Sequence, residues 1–205
     1  VYVLHFTIPS SVPILYSPFF SFPLSSDRHS GFLLPSIGSS GESGTVISTP
    51  YYFNIAENMD FTFTPTNYSG RGVMFDGQFR HKSENSNTEI ELTHMDKDDV
   101  KGESRHAYSM RDQRVFKNTL TAGDNGQWNG TLISSNINIG GISDLTYFDD
   151  FGNSVSRIGR THITREIILN RIDYRKFGYF NTSIKATDYQ LCLLYTSDAA
   201  DEAKC

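Results

Sequence analysis

The chain has 205 residues, of which 13% are aromatic and 20% charged, and a formal net charge of −5. No basic stripe or Lys/Arg cluster stands out, which excludes nucleic acid as a partner by charge, and the aromatic content excludes an intrinsically disordered chain. No run of about 18 apolar residues occurs, so a membrane-spanning helix is excluded, whereas a transmembrane barrel is not, because its strands alternate and leave hydropathy near that of a soluble protein.

Val1 opens directly into a strand-like run, VYVLHFTI, with no initiator Met, and the chain reads as an internal piece of a longer protein. Residues 1–24 are dense in Phe, Tyr, Ile, Leu and Pro. Pro9, Pro13, Pro18 and Pro23 forbid a helix there, so short strands broken by proline turns are expected. From Asp27 onward the texture changes to extended segments of roughly 10 residues, the length that crosses a bilayer as a tilted strand.

The first two of these segments lie in residues 28–56. They are joined by a Gly/Ser loop and carry Pro35 and Pro50. A proline has no N–H to give to a strand ladder and belongs at edges, strand starts or bulges, so two of them across one hairpin predict a sheet region that pairs weakly. Alternation follows. Met59, Phe61 and Phe63 oppose Asp60, Thr62 and Thr64; Ile90 and Leu92 alternate with Glu89, Glu91 and Thr93; Ile137 and Ile139 alternate with Asn136 and Asn138. Period 2 predicts strands with one apolar and one polar face. Residues 161–174 place Ile163, Ile167 and Ile168 on one side of a helical wheel, but Ile and Thr favour strands, and a strand is assigned. About nine strands follow residue 27, with the longest and most charged connections at 96–104 and 143–159. An outer-membrane barrel has short turns on one side and longer loops on the other; a soluble barrel or sandwich shows a similar pattern.

Catalytic motifs are missing from the sequence. There is no Gly-x-Ser-x-Gly element, phosphate loop or His-Glu-x-x-His, and His94, His106 and His162 lack metal-ligand spacing. The acidic residues Asp96, Asp98, Asp99 and Glu103 lack the spacing of a calcium loop and read as a solvated loop. The expectation is therefore a protein that is not an enzyme and carries no cofactor or metal. Cys192 and Cys205 define no disulfide framework.

Three stretches, ILYSPFFSFPLSSDRHSGFLLPSIG, TPYYFNIAENMDFTFTP and SGRGVMFDGQFRH, occur in this order, and SDLTYFDDF follows at 143–151. Together they resemble the lipopolysaccharide-assembly outer-membrane protein family, LptD. The resemblance covers roughly residues 1–190 and is strongest in the first 80. It implies an all-β fold: about eight or nine antiparallel strands of a larger transmembrane β-barrel, preceded by the last strands of a periplasmic β-jellyroll. By position, residues 1–26 would be the jellyroll end and linker, and residues 27–190 the first part of the barrel. Residues 191–205 fit neither the alternation nor the family and look like a non-native tail. The resemblance further implies a conduit that moves lipopolysaccharide to the outer leaflet through a lateral gate weakened by Pro35 and Pro50. The implied partners are lipopolysaccharide, an LptE-like plug lipoprotein, an LptA-like periplasmic bridge and outer-membrane lipids. Tyr16, Phe19, Phe20 and Phe22 would line a lipid path at the junction of jellyroll and barrel, although core packing is the commoner role of such a cluster. Asp27 and Arg28, with His29, would meet lipid A phosphates or core sugars there, against the plainer reading of a solvated strand entry. A general porin or receptor barrel and a soluble β-sandwich that binds carbohydrate are the competing readings.

Overall fold

In the computed structural model, the described residues are 2–7, 13–20, 28–41, 43–122, 128–152, 162–175 and 178–191. They are almost entirely antiparallel β-structure. Two strands, β1 (Tyr2–Thr7) and β2 (Pro13–Phe20), form a small sheet of their own.

The second sheet holds twelve strands. They are β3 (Gly31–Phe32), β4 (Ser36–Ser40), β5 (Gly44–Ser48), β6 (Tyr51–Ala56), β7 (Met59–Tyr68) and β8 (Gly72–Lys82). Then come β9 (Ser86–Met95), β10 (Arg105–Asn118), β11 (Thr121–Ala122), β12 (Trp128–Ile142), β13 (His162–Arg175) and β14 (Gly178–Leu191). One helix, α1 (Tyr147–Phe151), sits between β12 and β13.

The strands are a meander in which each long segment pairs with the next. β3 and β4 are the halves of one interrupted stave, β5 and β6 of a second, and β11 continues the stave of β10 in the same register along β12. Counted this way the sheet has nine staves, as the spacing of turn signals predicts. The segment 161–174, for which a helical wheel was the alternative, is strand β13.

Cross-strand register sorts the residues into two faces, because side chains directly opposite each other project from the same side. One row runs Phe53, Phe61, Phe79, Ile90, Met110 and Ile139 across six staves. The adjacent row on the other face runs Tyr52, Thr62, Gln78, Glu91, Ser109 and Gly140. The alternation read from the sequence is thus kept in register over most of the sheet. Among the described residues nothing covers the apolar face: Phe53, Phe75, Leu92, Ile167, Leu169 and Ile184 are all exposed. The polar face holds buried Asp60, Thr66, Glu91 and Thr93. This is the inverse of a soluble globule.

At one end of the sheet the polar face has a small apolar cluster. Met74, Met95, Ala107, Ile142 and Ile163 surround Tyr147 and Phe148 of α1. The segment after β12 therefore folds back over the sheet, and the Tyr147 hydroxyl meets Thr93 Oγ1. At the same end, the backbone pairing of β12 with β13 stops above the Asn138–Glu166 pair. Side chains take over the ladder's role there: Arg165 Nε donates to Gly140 O at 2.7 Å, and Gln190 bonds both polar groups of the Ile142 backbone at 3.4 and 3.0 Å.

Candidate functional site: a proline-broken seam

The first stave is an end of the hydrogen-bonded order, and its pairing with the second is broken midway. Below the break Phe32 pairs with Tyr51; above it Ser36 pairs with Ser48. Three residues, 33–35, therefore face two, Thr49 and Pro50. The register slips by one, as at a β-bulge. Pro35 and Pro50 both lie inside this gap. The chemistry is direct. Leu33 N–H donates to Pro50 O at 2.9 Å, but Pro50 has no N–H to return the bond.

A third proline extends the weakness inward, and the sequence reading passed over it. By register Thr49 lies opposite Pro65 of β7, and Thr49 N–H donates to Pro65 O at 3.1 Å. The return bond is again impossible. Pro35, Pro50 and Pro65 thus remove donors at one level of three successive staves. Each absent ladder bond is worth about 0.5–1.5 kcal/mol. A proline inside the continuous strand MDFTFTPTNY is the signal that marks it.

On the polar face beside the break lies a groove of about 520 Å³. Ser36, Ser48, Thr62, Thr64 and Thr66 line it, with Asp76, Gln78 and Glu91 further along and Phe151 of α1 at its edge. The wall next to the seam is thus rich in hydroxyls.

The root of the first stave is fastened differently. Arg28 Nη1 reaches Asp60 Oδ2 at 3.0 Å and the Tyr52 hydroxyl at 3.4 Å. Its Nη2 meets the carbonyls of Ala56 and Glu57. Asn54 Nδ2 donates to Arg28 O at 2.7 Å, and Asn54 N–H to Ser30 Oγ at 2.8 Å. Arg80 holds the same Asp60 carboxylate at 2.8 and 3.1 Å. Arg28 stays exposed, its side chain 47% accessible, while its guanidinium joins this network.

At the far end of the sheet, buried charges lock α1 down. Arg71, in the turn before β8, binds Asp98 at 2.9 Å, Asp150 at 2.7 Å and Ser43 Oγ at 3.1 Å. Arg105 binds Asp98 and Asp150, both at 2.9 Å, and Asp144 at 2.5 Å. Both guanidiniums lie over the Phe151 ring, at 5.5 and 4.9 Å. The acidic loop 96–104 was expected to be solvated, and that expectation is corrected at Asp98, whose side chain is 0% exposed. Burial alone would raise the Asp98 pKa. The Val100 N–H, Arg71 and Arg105 outweigh burial and hold it below the ordinary carboxylate value. Asp144 is likewise lowered: Ser143, Thr146 and Arg105 overcome its burial.

Of the junction residues, Tyr16, Phe19 and Phe20 fall in β2, with Tyr16 opposite His5 and Phe20 opposite Tyr2. Phe22 and Asp27 lie outside the described residues, as does the tail from 192. No group of three or more His, Cys, Asp or Glu suited to a metal occurs among the described residues.

Comparison with known proteins joins these features to a family. The family model described as LptD protein matches residues 4–113, more than half of the chain. The chain belongs to the LptD family. Three relatives, each named LPS-assembly protein LptD, show the extent of the match. That of Chromobacterium violaceum is 37% identical over 179 residues, covering 87% of this chain and 21% of the relative. The Idiomarina loihiensis protein is 34% identical over 186 residues, covering 91% and 23%. The Neisseria meningitidis serogroup B protein is 32% identical over 180 residues, covering 87% and 21%. The LptD chain here thus spans about a fifth of these relatives' length. The broken seam, the Arg28 network and the Arg71–Asp98 pair all lie within the matched 4–113.

Proposed function

We propose that this LptD chain is part of the wall of an outer-membrane barrel that assembles lipopolysaccharide into the outer leaflet, and that its proline-broken first staves form one lip of a lateral gate. The observation that carries the reading is the pairing of two features. The sheet is apolar on its uncovered face and polar on the other, and its edge stave is broken by prolines. The apolar face meets hydrocarbon and the polar face lines the lumen. An amphiphile whose sugars travel along the hydroxyl-rich wall can then pass its acyl chains sideways where the ladder is weakest. The protein acts as a conduit. Its partners in this role are lipopolysaccharide, the surrounding outer-membrane lipids, an LptE-like lipoprotein in the lumen and an LptA-like periplasmic bridge. Tyr16, Phe19, Phe20 and Phe22 would guide acyl chains toward the seam.

The test is Pro35→Ala with Pro50→Ala in the full-length protein. Restored donors stiffen the seam, so less lipopolysaccharide reaches the cell surface and detergent sensitivity rises. Unchanged surface lipopolysaccharide and unchanged detergent sensitivity would overturn the reading.

A further inference from the structure

The first stave is not uniformly loose. From Gly31 to Ser39 its side chains make no hydrogen bond to another stave among the described residues, and its hold there is backbone pairing on either side of the break, supplemented by one ring contact of Phe32 on Tyr51 at 4.9 Å. At each end it is tied. At the root, Arg28 crosses the second stave to Asp60 of the third, and Asn54 ties the second stave to both Arg28 O and Ser30 Oγ. Asp60 is 4% exposed and held on its other side by Arg80 of the fourth stave. At the opposite end, the turn joining the first two staves is held by Ser43. Its carbonyl accepts from Gly70 N–H at 3.0 Å, and its hydroxyl accepts from Arg71 Nε at 3.1 Å.

We propose that Arg28 is a positioning residue. With Asp60 and Arg80 it clamps the root of the first stave, while Ser43 and Arg71 clamp its far turn, so the lip bows outward between two fixed ends and opens a slit of limited height. The proposal rests on the lateral-gate reading and adds to it where the opening stops. The physical reason is the contrast in bonding. An unclamped edge strand frays from its end, where one bond at a time is lost. A strand whose end is held by a carboxylate shared between two arginines, with both carboxylate oxygens bonded, yields first where donors are missing. Ion pairs at a part-exposed arginine are individually weak, so the backbone carbonyls and Asn54 that Arg28 also engages matter as much as its charge.

Hydrogen–deuterium exchange on the full-length protein with its natural partners in lipid nanodiscs tests this. In the native protein, peptides covering 36–40 exchange faster than those covering 28–32 and 51–56. Arg28→Ala is expected to raise exchange at the root by roughly tenfold, the loss of one charged hydrogen bond, to leave β9 unchanged, and to make cells permeable to large antibiotics. Arg28→Lys keeps the charge on a shorter reach and should fall between the two; Asp60→Asn should mimic Arg28→Ala. If Arg28→Ala leaves root exchange and permeability at native values while Pro35→Ala with Pro50→Ala slows exchange in the seam, the clamp is wrong and the gate stands. If the proline double variant alters neither exchange nor delivery, the gate reading itself fails.

Discussion

Asp98 shows how much a single carboxylate can organise. It sits on a loop, fully buried, and accepts from Arg71 and Arg105 at once. Removing one partner of a buried ion pair leaves the others uncompensated and costs about 3–5 kcal/mol. Asp98→Ala in the full-length protein is therefore expected to free the α1 segment. Limited proteolysis would show it as new cleavage within 143–152, with the strands intact; an uncut segment would refute it. The same site sets an acid limit. Asp98 and Asp144 have folded-state pKa values below those of the unfolded chain, so they stabilise the fold above the ordinary carboxylate value of about 3.9. That contribution is lost as pH falls from there through the lowered folded values. Cleavage of the α1 segment by an acid-stable protease should accordingly stay flat from neutral pH down to about 4 and rise below it.

Among the elements, β13 is the sharpest test of the alternation. Ile167 faces the uncovered apolar side, opposite Ile137 and Ala186, while Ile168 faces the polar side, opposite Asn136 and Lys185. A helix would have set these neighbours about 100° apart, not on opposite sides. On the proposed barrel reading, Ile167→Arg in the full-length protein is expected to lower the amount assembled in the outer membrane, since an Arg on a lipid-facing side costs about 2–4 kcal/mol at mid-bilayer. Ile168→Arg should assemble near the native level. Quantifying folded protein by its heat-modifiable migration on gels separates the two, and equal losses would sink the assignment of faces. The strands were legible because a period of two survives in a single sequence, and the break was legible because proline states its missing donor outright. The α1 segment and its locks were not. Arg71 and Asp150 are 79 positions apart, and nothing in the acidic loop itself says that two arginines will close over it. The Arg28 network was hidden for the same reason, since Asp60 becomes its neighbour only once the second and third staves are laid beside it. Pro65 was readable in principle, being a proline inside an alternating run.

Taken whole, the described sheet turns the usual globule inside out, with carboxylates, guanidiniums and hydroxyls under cover and rings and aliphatic chains facing out. Its two faces are specified stave by stave, and its apolar cluster is confined to the end where α1 folds in. Stiffness is distributed unevenly. Buried charges bind one end, Arg28 and Arg80 bind the other beside the edge stave, and three prolines thin the ladder between them. In the gate proposed above, such a wall would keep its shape while one margin yields.

In the proposed gate, the extra residue at positions 33–35 bears on what happens after each opening. A strand that detaches and returns can rejoin its neighbour in the wrong frame. Were the upper half to come back displaced by a single position, Ile37 would turn toward the aqueous interior, and Ser36 and Gly38 toward hydrocarbon. That misfit disfavours a return slipped by one residue, while the bulge absorbs the mismatch with the lower half. A gate of the kind proposed would therefore be keyed, returning to one frame cycle after cycle.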